Sequence, residues 1–295
     1  MADRFRTFIL PGLFLLLATL MLYLPGTRTL PLMDRDEPRF AQATVEMMQR
    51  GTWTVPYFNE EYRFDKPPLT YWWMRLHYLL GGVSELTARL HSVVAVWLTA
   101  WLVAGIGARL YDRRTGFLAG LIWLTTLQVL VHGRLCVADM ALLLFLTLMA
   151  RALLELLWLG ESRRWSPWFW LLYVGLGLGF LAKGPLSLLM PAIAVGLSRW
   201  WGKKPLPWKN LQLGPGLAIA LGMVALWGIP ALIETQGLFW KVGMGEHVVK
   251  RGTEVLNGRF FIPGIYFVTA LISLFPWIGL AWPVWKYARK QWDSG

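Results

Sequence analysis

The stretch Leu69-Thr70-Tyr71-Trp72-Trp73-Met74-Arg75-Leu76-His77-Tyr78-Leu79-Leu80-Gly81-Gly82 decides the topology of this chain. It is apolar and aromatic enough to enter a bilayer, yet it is short and carries Arg75 and His77. A spanning helix needs about 20 consecutive apolar residues. If the stretch does not span, further spans fall near residues 88–108, 116–131, 138–158, 167–182, 185–200, 213–233 and 263–285, and with a first run from Phe8 to Leu24 they number eight. The connections Asp112-Arg113-Arg114, Glu161-Ser162-Arg163-Arg164 and Lys203-Lys204 to Lys209, and a tail over residues 286–295, then share a side with Arg4 and Arg6. If it does span, those basic loops lie opposite the N-terminus. Short loops rich in Lys and Arg mark the cytoplasmic side. The non-spanning reading is therefore preferred, with residues 26–87 as the first outer loop.

Composition agrees. Of 295 residues, 56% are hydrophobic and 16% charged, against about 25% charged in soluble domains. The chain is an integral, all-α polytopic membrane protein. Its net charge of +12 does not point to nucleic acid, because the basic residues sit in clusters between apolar runs, where topology and anionic lipid explain them. The single cysteine, Cys136, excludes an internal disulfide and a Cys-based metal site. The first run ends Tyr23-Leu24-Pro25-Gly26 with no small-residue cleavage site, so it is read as a retained helix. All but five of the 17 acidic residues (Asp3, Asp112, Glu155, Glu161 and Asp293) fall on the outer side, mixed there with cations, as a polar site requires.

Within the outer loop, Glu37 to Arg50 has a helical pattern with Phe40, Thr44, Met47 and Met48 on one face, and Gly51 ends it. Such a helix is expected to lie on the membrane surface, apolar side down. Trp53 to Phe58 reads as extended, Asn59-Glu60-Glu61 as a turn, and Arg63-Phe64-Asp65-Lys66-Pro67-Pro68-Leu69 closes the segment.

Several ionisable residues fall at outer helix ends: Asp36-Glu37, Asp65-Lys66, Asp139, Lys183, and Glu246-His247 followed by Lys250 and Arg251. Charges at membrane depth are costly, which makes each a functional candidate. Each also has a plainer reading. Asp36 suits a helix N-cap, Lys66 a snorkelling cation, and Lys183 a cation at a helix C-terminus. Asp139 can pair with Arg134, and His247 can be a solvated loop residue. Their convergence on one side favours chemistry. Carboxylates beside cations suit a phosphate-bearing lipid: lysines and Arg251 can meet phosphate oxygens, and a carboxylate can act as general base for a hydroxyl. Asp65 and His247 are candidates to share a divalent cation. Trp53, Trp72 and Trp73 offer stacking surfaces for a sugar or form an interfacial belt.

The motifs Asp36-Glu37-Pro38-Arg39-Phe40-Ala41, Phe64-Asp65-Lys66-Pro67-Pro68-Leu69 with Tyr71-Trp72, Asp139, Lys183-Gly184 and Glu246-His247 with Lys250-Arg251 resemble those of the polyprenyl-phosphate-sugar-dependent GT-C glycosyltransferases. Within that group the likeness is to the superfamily of protein O-mannosyltransferases and lipid A aminoarabinose transferases, in its bacterial branch. The resemblance covers nearly all of residues 30–285. It implies a GT-C transmembrane helix bundle over residues 1–285, with amphipathic interfacial helices in a periplasmic first loop, a cytoplasmic N-terminus and a location in the bacterial inner membrane. It further implies inverting transfer of a sugar from an undecaprenyl-phosphate-type donor to an envelope acceptor, a lipid A-like glycolipid or other glycan, on the periplasmic side.

By the same resemblance Asp36, Glu37 and Asp139 are catalytic, and Lys66, Lys183, Lys250 and Arg251 bind the donor phosphate. Arg39, Tyr71, Trp72 and Glu246 line the substrate, and Asp65 with His247 holds a possible divalent metal, although relatives often carry Glu at the Asp65 position. Family members usually continue into further helices and a periplasmic C-terminal domain, so the resemblance implies either a fragment or a short or split member whose remainder a second subunit supplies; the other partners are donor, acceptor and membrane lipids. The alternative is a protein that binds or flips a lipid-linked sugar without bond chemistry, or a partner subunit of a split transferase.

Overall fold

A computed structural model describes residues 2–33, 35–202, 205–243 and 264–293. The expected non-spanning stretch is a 13-residue helix, Leu69–Gly81, about 20 Å long at 1.5 Å per residue and so too short to span. In chain order the helices are α1 (Ala2–Tyr23), α2 (Asp36–Arg50), α3 (Leu69–Gly81), α4 (Glu85–Leu110), α5 (Arg113–Thr125), α6 (Leu127–His132), α7 (Asp139–Leu153, continued by a π turn to Trp158), α8 (Pro167–Lys183), α9 (Leu186–Trp201), α10 (Leu213–Glu234), α11 (Ile265–Ser273) and α12 (Ala281–Asp293). A short antiparallel hairpin pairs β1 (Tyr57–Phe58) with β2 (Glu61–Tyr62). Asn59 and Glu60 at its tip both have positive φ, 53° and 67°, the geometry of a tight two-residue turn whose twist matches that of the strands.

Three helical stretches, Glu85–Leu110, Asp139–Trp158 and Trp208–Glu234, are long and apolar enough to cross a membrane alone. Leu10–Tyr23, Pro167–Lys183 and Leu186–Trp200 are apolar but shorter. Two of the eight expected spans are broken. The run 116–131 divides at Thr126, which is extended (φ −71°, ψ 128°). The hydroxyls of Thr125 and Thr126 bond back to Leu121 and Ile122, and the Leu127 N–H is given to Phe275 O (2.9 Å) instead of its own helix. The described part of 263–285 is two helical pieces bent by 106°. The break falls at Pro276, which has no N–H to continue a helix. The expected tail after residue 285 continues α12 rather than standing apart.

Helix α4 is the hub. Ser84 and Thr87 form a reciprocal capping box at its start, and its flanks meet α1, α3, α5 and α7. The α4–α5 contact is close because Gly116 has no side chain: a Cβ there would run into the backbone of Ala104 and Ala108. Helix α7 packs on α8, and α8 on α10. With α4 and α7 side by side and α8 reversed, the N-termini of α4 and α7 and the C-terminus of α8 share one end of the bundle.

That end carries the loop helices. Gly51 caps α2 as expected, at φ 69°. The apolar face of α2 does not lie on a membrane surface, which corrects the sequence reading. Phe40, Ala41 and Met47 are buried against Tyr71, Met74 and Tyr78 of α3 and against Cys136–Ala138. It is α3 that leaves Leu76, Leu79 and Leu80 exposed, the apolar stripe of an interfacial helix.

Candidate active site

Two adjacent acids open α2 and meet opposite fates. Glu37 is 1% exposed. Its Oε1 accepts from the Cys136 N–H (2.9 Å) and Arg89 Nε (3.0 Å), and its Oε2 from the Met33 N–H (2.8 Å) and Arg89 Nη2 (2.9 Å). Arg89 gives its remaining N–H groups to the carbonyls of Thr27 (2.9 Å), Leu30 (2.8 Å) and Pro31 (2.9 Å). A guanidinium has five N–H donors, and all five are used. Burial alone pushes the Glu37 carboxyl up, but the Arg89 bonds and the two backbone N–H groups outweigh it and hold the group below its usual range. Glu37 therefore does not present itself to a substrate. Through Arg89 and the Cys136 N–H it ties Thr27, Leu30, Pro31 and Met33 to α4 and to the segment three residues ahead of Asp139.

Asp36 is exposed and is the first residue of α2. It is not the N-cap: that position is Arg35, itself in helical conformation. The Asp36 carboxylate makes no hydrogen bond or ion pair to the described residues.

One turn further, Phe40 stacks on Tyr71, ring centroids 5.2 Å apart. Tyr71 is fully buried, and its hydroxyl accepts from Arg63 Nε (3.0 Å). This corrects its expected place in the substrate lining: it is a wall behind the site. Burial, outweighing the opposing Arg63 and helped by the more weakly felt carboxylates of Asp65 and Asp36, pushes the Tyr71 hydroxyl up to about 12. Arg63 itself lies over the rings of Phe40 (5.5 Å) and Phe58 (5.7 Å) and pairs with Asp65 (3.2 Å). Arg39 sits over Phe58 at 6.0 Å. The hairpin, Arg63 and Asp65 border an open cavity of about 220 Å³.

The hairpin is fastened from several sides. Glu46 accepts from the N–H groups of Asn59 (3.0 Å) and Glu60 (3.2 Å) at its tip. Trp72 Nε1 donates to Trp53 O (2.6 Å), Arg75 to Thr52 O (2.7 Å) and Trp227 Nε1 to Thr54 O (2.7 Å). Trp72 is thus half-buried as a fastener at one edge of the site.

On the bundle side, Asp139, the first residue of α7, meets Lys183, the last of α8, at 2.5 Å. The expected pairing with Arg134 is not formed: that guanidinium donates to the Leu22 carbonyl. Behind the pair, Ala141, Phe145 and Ala182 pack on Leu69 and Trp73 at the start of α3, just after the partly buried Lys66. Glu246, His247, Lys250 and Arg251 lie outside the described residues.

With them goes the test of a two-residue metal site. Asp65 is engaged by Arg63, and among the described residues no three metal-ligating side chains converge. Sequence reasoning passed over Arg89 and Arg63. A charged residue opening an apolar run was the available signal for Arg89; nothing local distinguished Arg63.

Residues 65–228 match the family of dolichyl-phosphate-mannose-protein mannosyltransferases, more than half of the chain. The chain belongs to this family. Two proteins named undecaprenyl phosphate-alpha-4-amino-4-deoxy-L-arabinose arabinosyl transferase are also similar to it. The one from Edwardsiella ictaluri (strain 93-146) is 32% identical over 280 residues, 91% of this chain and 49% of its own. The one from Enterobacter sp. (strain 638) is 30% identical over 276 residues, 91% of this chain and 48% of its own. The chain spans about half the length of these curated relatives. Its fold matches the crystal structure of ArnT from Cupriavidus metallidurans bound to undecaprenyl phosphate, with a TM-score of 0.81 at 20% identity, over 94% of this chain and 51% of that one. The mannosyltransferase-family member described above thus has the helical membrane fold of the GT-C glycosyltransferases.

Proposed function

We propose that the protein is a membrane glycosyltransferase that moves a sugar from an undecaprenyl-phosphate-type donor to an envelope acceptor, a lipid A-like glycolipid or other glycan, with inversion. The observation that carries this reading is the contrast within the first outer loop. Asp36 is an exposed, unengaged carboxylate at a helix N-terminus, held in place by its buried neighbour Glu37. The likeness to proteins named as transferases of an undecaprenyl-phosphate-linked sugar supports the donor class.

In the proposed reaction the acceptor hydroxyl attacks the anomeric carbon. Asp36 takes the hydroxyl proton, the bond from that carbon to the phosphate oxygen breaks, and polyprenyl phosphate leaves. Lys183 keeps two ammonium N–H donors beyond the one given to Asp139, and these meet the phosphate together with Lys66. Lys250 and Arg251 are assigned there from sequence. Asp139 aims Lys183 rather than attacking. Arg39 and the Trp72 edge face the sugar. The site opens on the periplasmic side of the inner membrane, following the basic loops at the other end of the bundle.

Mass spectrometry of envelope glycolipids from cells with and without the full-length protein tests this. The proposal expects a sugar-bearing species that disappears with the protein. Identical glycolipid and glycan profiles would refute it.

A further inference from the structure

A second, larger cavity, about 420 Å³, lies at the end of the bundle away from Asp36 and Lys183. Its walls are mainly apolar, including Trp101, Gly105 and Phe117, but three arginines also border it. Arg109 closes α4, Arg113 opens α5 and Arg151 lies in the last α-helical turn of α7, before the π turn that carries that helix on to Trp158. One carboxylate serves two of them. Glu155 accepts from Arg151 Nη2 (2.7 Å) and Arg109 Nε (3.0 Å).

The balance is an excess of positive charge with donors to spare. Arg151 Nη1 is buried without a hydrogen-bond partner among the described residues, although its guanidinium also stacks on Trp168 at 5.0 Å. Arg113 is exposed and has no partner among the described residues. A buried N–H left unmet is costly, and an apolar slot rimmed by more cations than its one carboxylate balances complements one kind of molecule, an anionic amphiphile. We propose that this end binds an acidic phospholipid of the leaflet opposite the candidate active site. Its phosphate sits on Arg113 and Arg151, and an acyl chain lies against Trp101, Gly105 and Phe117. Basic pockets between helix ends recognise such headgroups by charge. The inference does not depend on the transfer chemistry proposed above, since no residue is shared.

The test is native mass spectrometry of the full-length protein released from nanodiscs holding equal phosphatidylethanolamine and phosphatidylglycerol with the same acyl chains. Wild type should retain phosphatidylglycerol in excess. Arg113→Gln should cut that excess about five-fold, the worth of one cation near an anionic headgroup. Gly105→Leu fills the slot without touching a charge, and a Cβ at Gly105 has no neighbour within 4 Å. It should lose the bound lipid while its thermal unfolding profile stays that of wild type. Equal retention of the two lipids by wild type, or an excess that survives either substitution, would overturn the proposal.

Discussion

Two ion pairs stand at the same end of this molecule and do different things. Glu37–Arg89 is sealed: the side chains are 1% and 2% exposed, and every guanidinium donor is spent. Asp139–Lys183 is open: its side chains are 37% and 22% exposed, and a single 2.5 Å contact joins them. A saturated buried pair has nothing left to offer a ligand and serves to fix geometry. A half-exposed pair with two ammonium donors free can exchange partners. The lesson is that neighbouring acids in a motif, here Asp36 and Glu37, are sorted by what their partners leave unsatisfied.

The contrast breaks first at the sealed pair. Glu37→Gln leaves Arg89 buried without its counter-charge, which costs about 3–5 kcal/mol. The expected result is a large fall in thermal unfolding temperature of the purified protein, with activity lost through the fold. The open pair answers differently. Lys183→Met removes a charge-assisted contact worth about 1.5–3 kcal/mol, so donor-lipid binding should weaken about 10- to 100-fold. Its unfolding temperature should stay near that of wild type, because a half-exposed pair contributes about 1 kcal/mol or less. A variant that binds donor normally, or that unfolds as readily as Glu37→Gln, would erase the distinction.

Acid gives a smaller effect. Desolvation pushes the carboxyls of Glu37 and Glu46 up, but hydrogen bonds to Arg89 and backbone N–H groups for Glu37, and to Gln42 and the hairpin N–H groups for Glu46, leave both below the ordinary value. A carboxyl lowered on folding adds stability that is complete above its unfolded pKa, about 4.3, and is lost as pH falls through the folded value. Unfolding temperature measured from pH 7 down to pH 3 should therefore be flat to about pH 5 and then fall. The fall should be shallower in Glu46→Gln, measured against that variant's own pH 7 value.

Much of this was legible in the chain because it is local. The 3.6-residue pattern of α2, the glycine that ends it, the Asn59-Glu60 turn and the non-spanning length of 69–82 all follow from short-range chemistry. What was not legible depends on partners far away in sequence. Phe275 O takes the N–H of Leu127 and helps break an apolar run that looked continuous. Arg89 answers Glu37 from 52 residues away, and Lys183, not the nearby Arg134, answers Asp139. The face of α2 looked ready for lipid because amphipathicity says that a face is buried, not against what.

The central claim is that Asp36 is the base and acts only on the bond-making step. It is tested by measuring donor-lipid binding and labelled-sugar transfer in one preparation of the full-length Asp36→Asn protein. The account predicts that transfer falls by about 10²–10⁴-fold, the usual worth of a general base, while donor binding stays within a few-fold of wild type. Transfer at the wild-type rate in a variant that binds donor normally would contradict it.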